Sequence, residues 1–134
     1  VVKSGGWIIV SELFSDNLNP AQEVHKMFHH FRSTTDRLLG VSHNETFKKD
    51  EIVKMIKDSG IELQFHFEWL KENSMVRAEK ELEMRAEQME EMLESVQDFP
   101  EYKTLKPQIG EFRKKALKNG FLPATRVVVV GKVQ

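Results

Sequence analysis

A chain of 134 residues, 40% hydrophobic and 31% charged, suits one compact globular domain and excludes wholesale disorder. Its formal net charge of −1 gives no electrostatic ground for binding nucleic acid or an anionic membrane. The absence of cysteine excludes disulfides, thiolate catalysis and cysteine–zinc sites, and no stretch approaches the roughly 20 apolar residues that span a bilayer.

The first element is Trp7-Ile8-Ile9-Val10-Ser11-Glu12-Leu13, entered through Gly5-Gly6. Apolar residues at successive positions leave no polar face for water, so the pattern predicts a strand buried on both sides. Residues 14–46 read as a polar loop around a short helix, with Asn19 as N-cap and Pro20 at the first helical position. Ala21, Val24, Phe28 and Phe31 recur at helical spacing and are expected to face the sheet. Residues 47–60 form a second helix, with Ile52, Met55 and Ile56 inward and Gly60 as its stop.

Residues 61–69 alternate. Ile61, Leu63, Phe65, Phe67 and Trp69 are expected on one face, and Glu62, Gln64, His66 and Glu68 on the other, as in a half-exposed strand near a sheet edge. Residues 74–98 predict a long helix capped by Ser74, with Met75, Ala78, Leu82, Ala86, Met89, Leu93 and Val96 along one side. Its outer face carries Glu79, Glu83, Glu87, Glu90 and Glu94, read as solvated, and Glu81 pairs with Arg85. Burial of each large apolar residue contributes about 1.5–3 kcal/mol, so this stripe requires a surface to lie on. Residues 105–119 give another amphipathic helix, with Pro107 in its first turn, and Arg126-Val127-Val128-Val129-Val130 is the last strand, expected to be buried on both faces. A helical crossover makes the first two strands parallel. The local sequence leaves the last strand either parallel to them or antiparallel between them.

Lys3-Ser4-Gly5-Gly6-Trp7-Ile8-Ile9-Val10-Ser11-Glu12 resembles the Lys-Pro-Gly-Gly-strand segment of class I S-adenosylmethionine-dependent methyltransferases, with Ser4 in place of the proline. His43, Phe47-Lys48-Lys49-Asp50-Glu51-Ile52 and Ser59-Gly60-Ile61 resemble the family's next helix and strand. Arg126 to Lys132 resembles its final antiparallel strand, which inserts between the two before it. The likeness covers residues 1–69 and 121–134 and lies in the order and spacing of short motifs.

The fold this implies is α/β, the carboxyl-terminal half of a Rossmann-like sheet of three strands with a two-helix insertion. Residues 1–73 and 120–134 would form the α/β part and residues 74–119 the insertion, as a substrate cap or a dimer surface. The family's glycine-rich cofactor loop has no counterpart, and the chain opens on Val1 rather than Met, so a piece of a longer polypeptide is expected. S-adenosylmethionine would then be held mainly by the missing half, and the acceptor would be a small molecule. No nucleic-acid or membrane partner is expected, a homodimer is open, and the location implied is cytoplasmic. By the same resemblance the loop of His43 is aimed at the acceptor.

Candidate residues follow. His43 suits a general base or a loop hydrogen bond, and Glu12 an acceptor-binding group or a helix cap. Phe14, Phe28, His29 and Trp69 suit a substrate pocket, although aromatic residues at the spacing of Phe14, Phe28 and Trp69 more often form core. His25 and His29, with His30 beside them, have the spacing of a helical metal pair but no obvious third ligand, so no metal is assigned. Two rival readings are a non-enzymatic interaction module using helix 74–98 and a small metal-binding protein using the three histidines.

Overall fold

The computed structural model describes residues 2–134, with the backbone alone of Glu72. The chain order is β1 (Trp7–Leu13), α1 (Pro20–Leu38), α2 (Lys49–Asp58), β2 (Ile61–Trp69), a 3-10 turn (Glu72–Ser74), α3 (Glu79–Glu94), α4 (Tyr102–Asn119) and β3 (Arg126–Val133). The elements divide into a sheet unit (residues 1–17, 46–71 and 124–134) and a helical unit (18–45 and 72–123). The boundaries at 71/72 and 123/124 lie close to 73/74 and 119/120, and residues 18–45, which contain α1, also group with the helical unit.

In the sheet unit the strand order is β1-β3-β2, with β3 antiparallel to both neighbours. β1 and β2 therefore run parallel to each other, and the last strand lies antiparallel between them. Helix α2 is begun by the Glu51 carboxylate, which accepts from the Lys48 backbone N–H at 2.8 Å. It lays Ile52 and Ile56 on Val127 and Val129 of β3, with Phe14, Val10, Ile61 and Leu63 around them.

Two-sided burial of β1 and β3 is not what forms. β1 is an edge strand, and α2 covers one face only. A shift of register between Leu63 and Phe65 is the cause on the β2 side. Leu63 lies opposite Gly131, on the α2 face, whereas Phe65 lies opposite Val130, Phe67 opposite Val128 and Trp69 opposite Arg126, on the other. One extra residue at a bulge reverses which side every later residue takes. The alternation of 61–69 therefore splits, with Ile61 and Leu63 partly buried against the core and the three aromatic residues on the other face. Gly131 permits the bulge, because a Cβ there would strike Ile61 and come within 3.0 Å of the Glu62 carbonyl oxygen. The open face also carries Trp7 and Ile9, opposite Lys132 and Val130. Exposure there is large: Trp7 57%, Ile9 69%, Phe65 53%, Phe67 48% and Trp69 49%.

The helical unit buries its apolar groups against itself. Helix α1 is longer than expected and opens on a capping box: Asn19 Oδ1 accepts from the Gln22 N–H at 2.9 Å, and Gln22 Oε1 from the Asn19 N–H at 3.0 Å. Its stripe, Val24 and Phe31 with Phe28 beside them, packs on Leu82, Ala86, Met89 and Leu93 of α3 and Leu105, Ile109, Phe112 and Ala116 of α4. The expectation that this stripe faces the sheet is corrected. Helical periodicity reports that a face is buried, not what buries it.

Helix α3 is shorter than residues 74–98. Ser74 lies in the 3-10 turn, and Val76 instead pairs with Phe121 as an isolated bridge, N–H to carbonyl oxygen at 2.8 and 2.9 Å. Arg113 of α4 holds Glu83 in a forked pair at 2.7–3.1 Å and reaches Glu90 at 2.9 Å, so the acidic face of α3 is solvated as expected and also carries one exposed ion-pair network. Arg85, expected beside Glu81, places its guanidinium 4.2 Å from the centre of the Phe121 ring. Helix α4 begins at Tyr102, which puts Pro107 inside it rather than in its first turn. Gly120 ends it at φ +78°.

Candidate functional site

Chemistry-bearing side chains gather in each of the two units. In the helical unit, α1 ends at Leu38, and Gly40 at φ +82° turns the chain back. The Val41 N–H donates to the Asp36 carbonyl oxygen at 2.9 Å, which lays the following loop along the last turns of the helix. His43 thereby meets Asp36, with Nδ1 2.6 Å from Oδ2. Arg37 donates from Nη1 to the His43 carbonyl oxygen at 2.8 Å, and its Nη2 lies 3.5 Å from Glu45. The His29 ring meets the His43 ring edge-on, with centroids 5.0 Å apart.

An aspartate accepting from Nδ1–H fixes that tautomer and leaves Nε2 with a lone pair, the arrangement of a base held by a carboxylate. Burial, the charge of His43 and the charge of His30 together hold the His29 pKa below the usual imidazole value, against a backbone hydrogen bond at Asn44 that raises it. His30 is lowered too, first by burial, with Glu45 opposing. His29 is thus a neutral neighbour at pH 7 and adds no positive charge beside His43. The His25 and His29 rings stack at 6.4 Å, and among the described residues no three acidic or histidine side chains are placed to hold a metal ion.

In the sheet unit a cleft of about 270 Å³ opens at the carboxyl ends of β1 and β2, where ligands sit in open α/β sheets. Phe14, Asp16, Asn17, Lys49, Asp50, Glu68 and Thr125 line it. Lys49 donates from Nζ to Glu68 Oε1 at 2.8 Å, and this bond raises its pKa. Asp16 Oδ2 accepts from the Lys49 backbone N–H at 2.7 Å and so supports the first turn of α2. Of the cleft's polar side chains, Lys49 is thus engaged by Glu68 and Asp16 by the backbone of α2.

Of the residues singled out from the sequence, His43 and His29 come together. Phe28 packs on Phe112 and Phe121 at 6.1 and 6.0 Å between centroids and serves the helical core. Phe14 is buried under α2 while touching the cleft. Glu12 pairs with Val127 and Trp69 with Arg126, which sends them to opposite faces of the sheet and rules out one shared site there. Asp36, Lys49 and Glu68 were missed. Asp36 lies seven residues before His43 across a glycine turn, and the Leu39-Gly40 stop was the signal that could have paired them.

No family model matches this chain, and no curated protein matches it. Among solved structures it is similar to YjhP from E. coli, with 14% identity and a TM-score of 0.43 over 98% of this chain and 48% of that one. It is also similar to BH2331 from Bacillus halodurans C-125, provisionally described as a methyltransferase, with 18% identity and a TM-score of 0.42 over 97% and 52%. The chain spans about half the length of these two structures.

Proposed function

We propose that this chain is the carboxyl-terminal part of a cytoplasmic methyltransferase that uses S-adenosylmethionine and acts on a small-molecule acceptor. The observation that carries the reading is topological. Two mutually parallel strands, joined by a helical crossover, take the last strand antiparallel between them, as the sequence resemblance implies. The residues present do not fit the cofactor by themselves. The seven glycines include the adjacent Gly5-Gly6 but no Gly-x-Gly, so the glycine-rich turn that brings backbone N–H groups up to a nucleotide in this family is not among these residues. Cofactor binding and activity belong, in this reading, to the longer polypeptide.

What this chain contributes is the acceptor side. The Asp36 carboxylate holds His43 by Nδ1, Nε2 takes the acceptor's proton, and His29 flanks the ring. S-adenosylmethionine supplies the methyl group when bound. The rival use of helix 74–98 as a partner surface finds no support, since Leu82, Ala86, Met89 and Leu93 are already covered by α1 and α4.

Calorimetric titration of S-adenosylmethionine tests the assignment. The polypeptide extended through its upstream coding region is expected to bind it, and residues 1–134 alone to show no heat. Failure of the extended polypeptide to bind would contradict the reading. In the extended protein, His43→Gln is expected to lower kcat with little change in cofactor affinity, the pattern of a group that acts in the transition state.

A further inference from the structure

Two arginines of the helical unit have very different surroundings. Arg113 of α4 is held by the carboxylates of Glu83 and Glu90. Arg85 of α3 has no carboxylate at ion-pair distance among the described residues, although Glu81 stands one turn before it, and its Nε is shut off from water without an acceptor. Its guanidinium carbon lies instead 4.2 Å from the centre of the Phe121 ring and 6.0 Å from that of Phe28. Ring faces attract the cation without neutralising it. A guanidinium is always charged, and one that has lost water on one side is stabilised by an anion on the other. Its Nε is closed off, so the donors that remain are the Nη1 and Nη2 groups, which lie in one plane and match the two oxygens of a carboxylate.

Arg85 stands at one end of a row of rings whose other end is His43. Phe121 meets the His25 ring edge-on at 5.3 Å between centroids, His25 stacks on His29 at 6.4 Å, and His29 meets His43 at 5.0 Å. All of these residues belong to the helical unit. His25 and His29 are one turn apart on the same side of α1, and both are only partly buried, so the row is reached from solvent. The Phe121 end is fixed by the paired backbone bonds to Val76, at 2.8 and 2.9 Å. Burial and the neighbouring charges keep His29 neutral at pH 7, so it presents a flat, uncharged ring.

We infer that Arg85 binds a carboxylate of the acceptor through its Nη groups, with the body of the acceptor on the His25 and His29 rings and its reacting end at His43. The substrate class is then a carboxylic acid, one negative charge for one guanidinium. This rests on the function proposed above for the reacting end, whereas the carboxylate site stands on Arg85 by itself.

Residues 1–134 in solution, observed by nuclear magnetic resonance at the Arg85 Nε–H and the His29 ring, are titrated with benzoate, benzamide and inorganic phosphate. Benzoate is expected to move both signals to saturation. Benzamide, of the same shape without the charge, should bind about tenfold more weakly, the loss of a charged hydrogen-bond pair. Arg85→Gln should abolish saturation, and Arg85→Lys, which keeps the charge but not the planar pair, should weaken it severalfold. Unchanged signals of Phe112 and Met89 show that both variants fold; if they do not, the three probes on the unsubstituted chain decide. No saturable response of Arg85 to benzoate overturns the inference. Equal effects of benzoate and benzamide also overturn it, since the rings alone would then bind, as does phosphate equal to benzoate, which gives the site to any oxyanion. Saturation at Arg85, together with an extended polypeptide that does not bind S-adenosylmethionine, sustains the carboxylate site and sinks the methyl-transfer reading. Cofactor binding with a silent Arg85 does the reverse.

Discussion

In the helical unit three helices close one core, and Phe31, Met89 and Phe112 are each at most 1% exposed. In the sheet unit a single helix covers one face of three strands, Val127 and Val129 are as deeply buried, and the reverse face presents two tryptophans and two phenylalanines to solvent. Both units draw on the same residue types. What separates them is the number of layers this chain supplies, because a sheet is apolar on one or both faces and each apolar face needs its own cover. The helical unit has its cover in α1. The sheet unit has half of it.

The largest expected effect tests the closed core. Phe112→Ala should lower stability by about 3–5 kcal/mol in chemical denaturation, as for other buried aromatic residues. Ile52→Ala, on the single helix that covers the sheet and packed on one sheet face rather than between two helices, is expected near the low end for an aliphatic truncation, about 2 kcal/mol. A loss as large as that of Phe112→Ala would erase the distinction between the units. Gly131→Ala tests the bulge. Ile61 and the Glu62 carbonyl must yield to the new Cβ, at about 1–3 kcal/mol, read as a fall in melting temperature.

The smallest effect is electrostatic and belongs to the helical unit. The pKa of His29 is lowered in the folded chain, so below pH 6.5 the unfolded state binds more protons at this position. Its contribution is therefore fully present above the unfolded value and is lost as pH falls through it. Urea midpoints measured from pH 7.5 down to 5.5 should decline, and His29→Gln should decline less steeply. An identical slope in the variant would remove His29 as the source.

The order and kind of the elements were legible in the sequence, since capping at Asn19, the stop at Gly60 and the valine run of β3 are local signals. Two-sided burial of β1 was misread because an apolar run records what a strand can bury, not what this chain provides to bury it. The aromatic residues of β2 were placed on the wrong face for a different reason. A bulge keeps the alternation intact in sequence while reversing it in space, and the only trace was Gly131 on another strand. The candidate site was half legible. His43 and His29 stood out as residue types, whereas Asp36 required knowing how tightly the chain turns at Gly40.

Amide hydrogen exchange of the present chain, resolved by residue, tests the unequal closure most directly. The slowest amides are expected in α3 and α4, intermediate ones at Ile8, Val10 and Glu12, and fast exchange at Ile9, Ser11 and Leu13, whose N–H groups point away from β3. Protection at Ile9, Ser11 and Leu13 equal to that of Val10 would show the outer edge of β1 already paired, and would contradict a sheet left half covered.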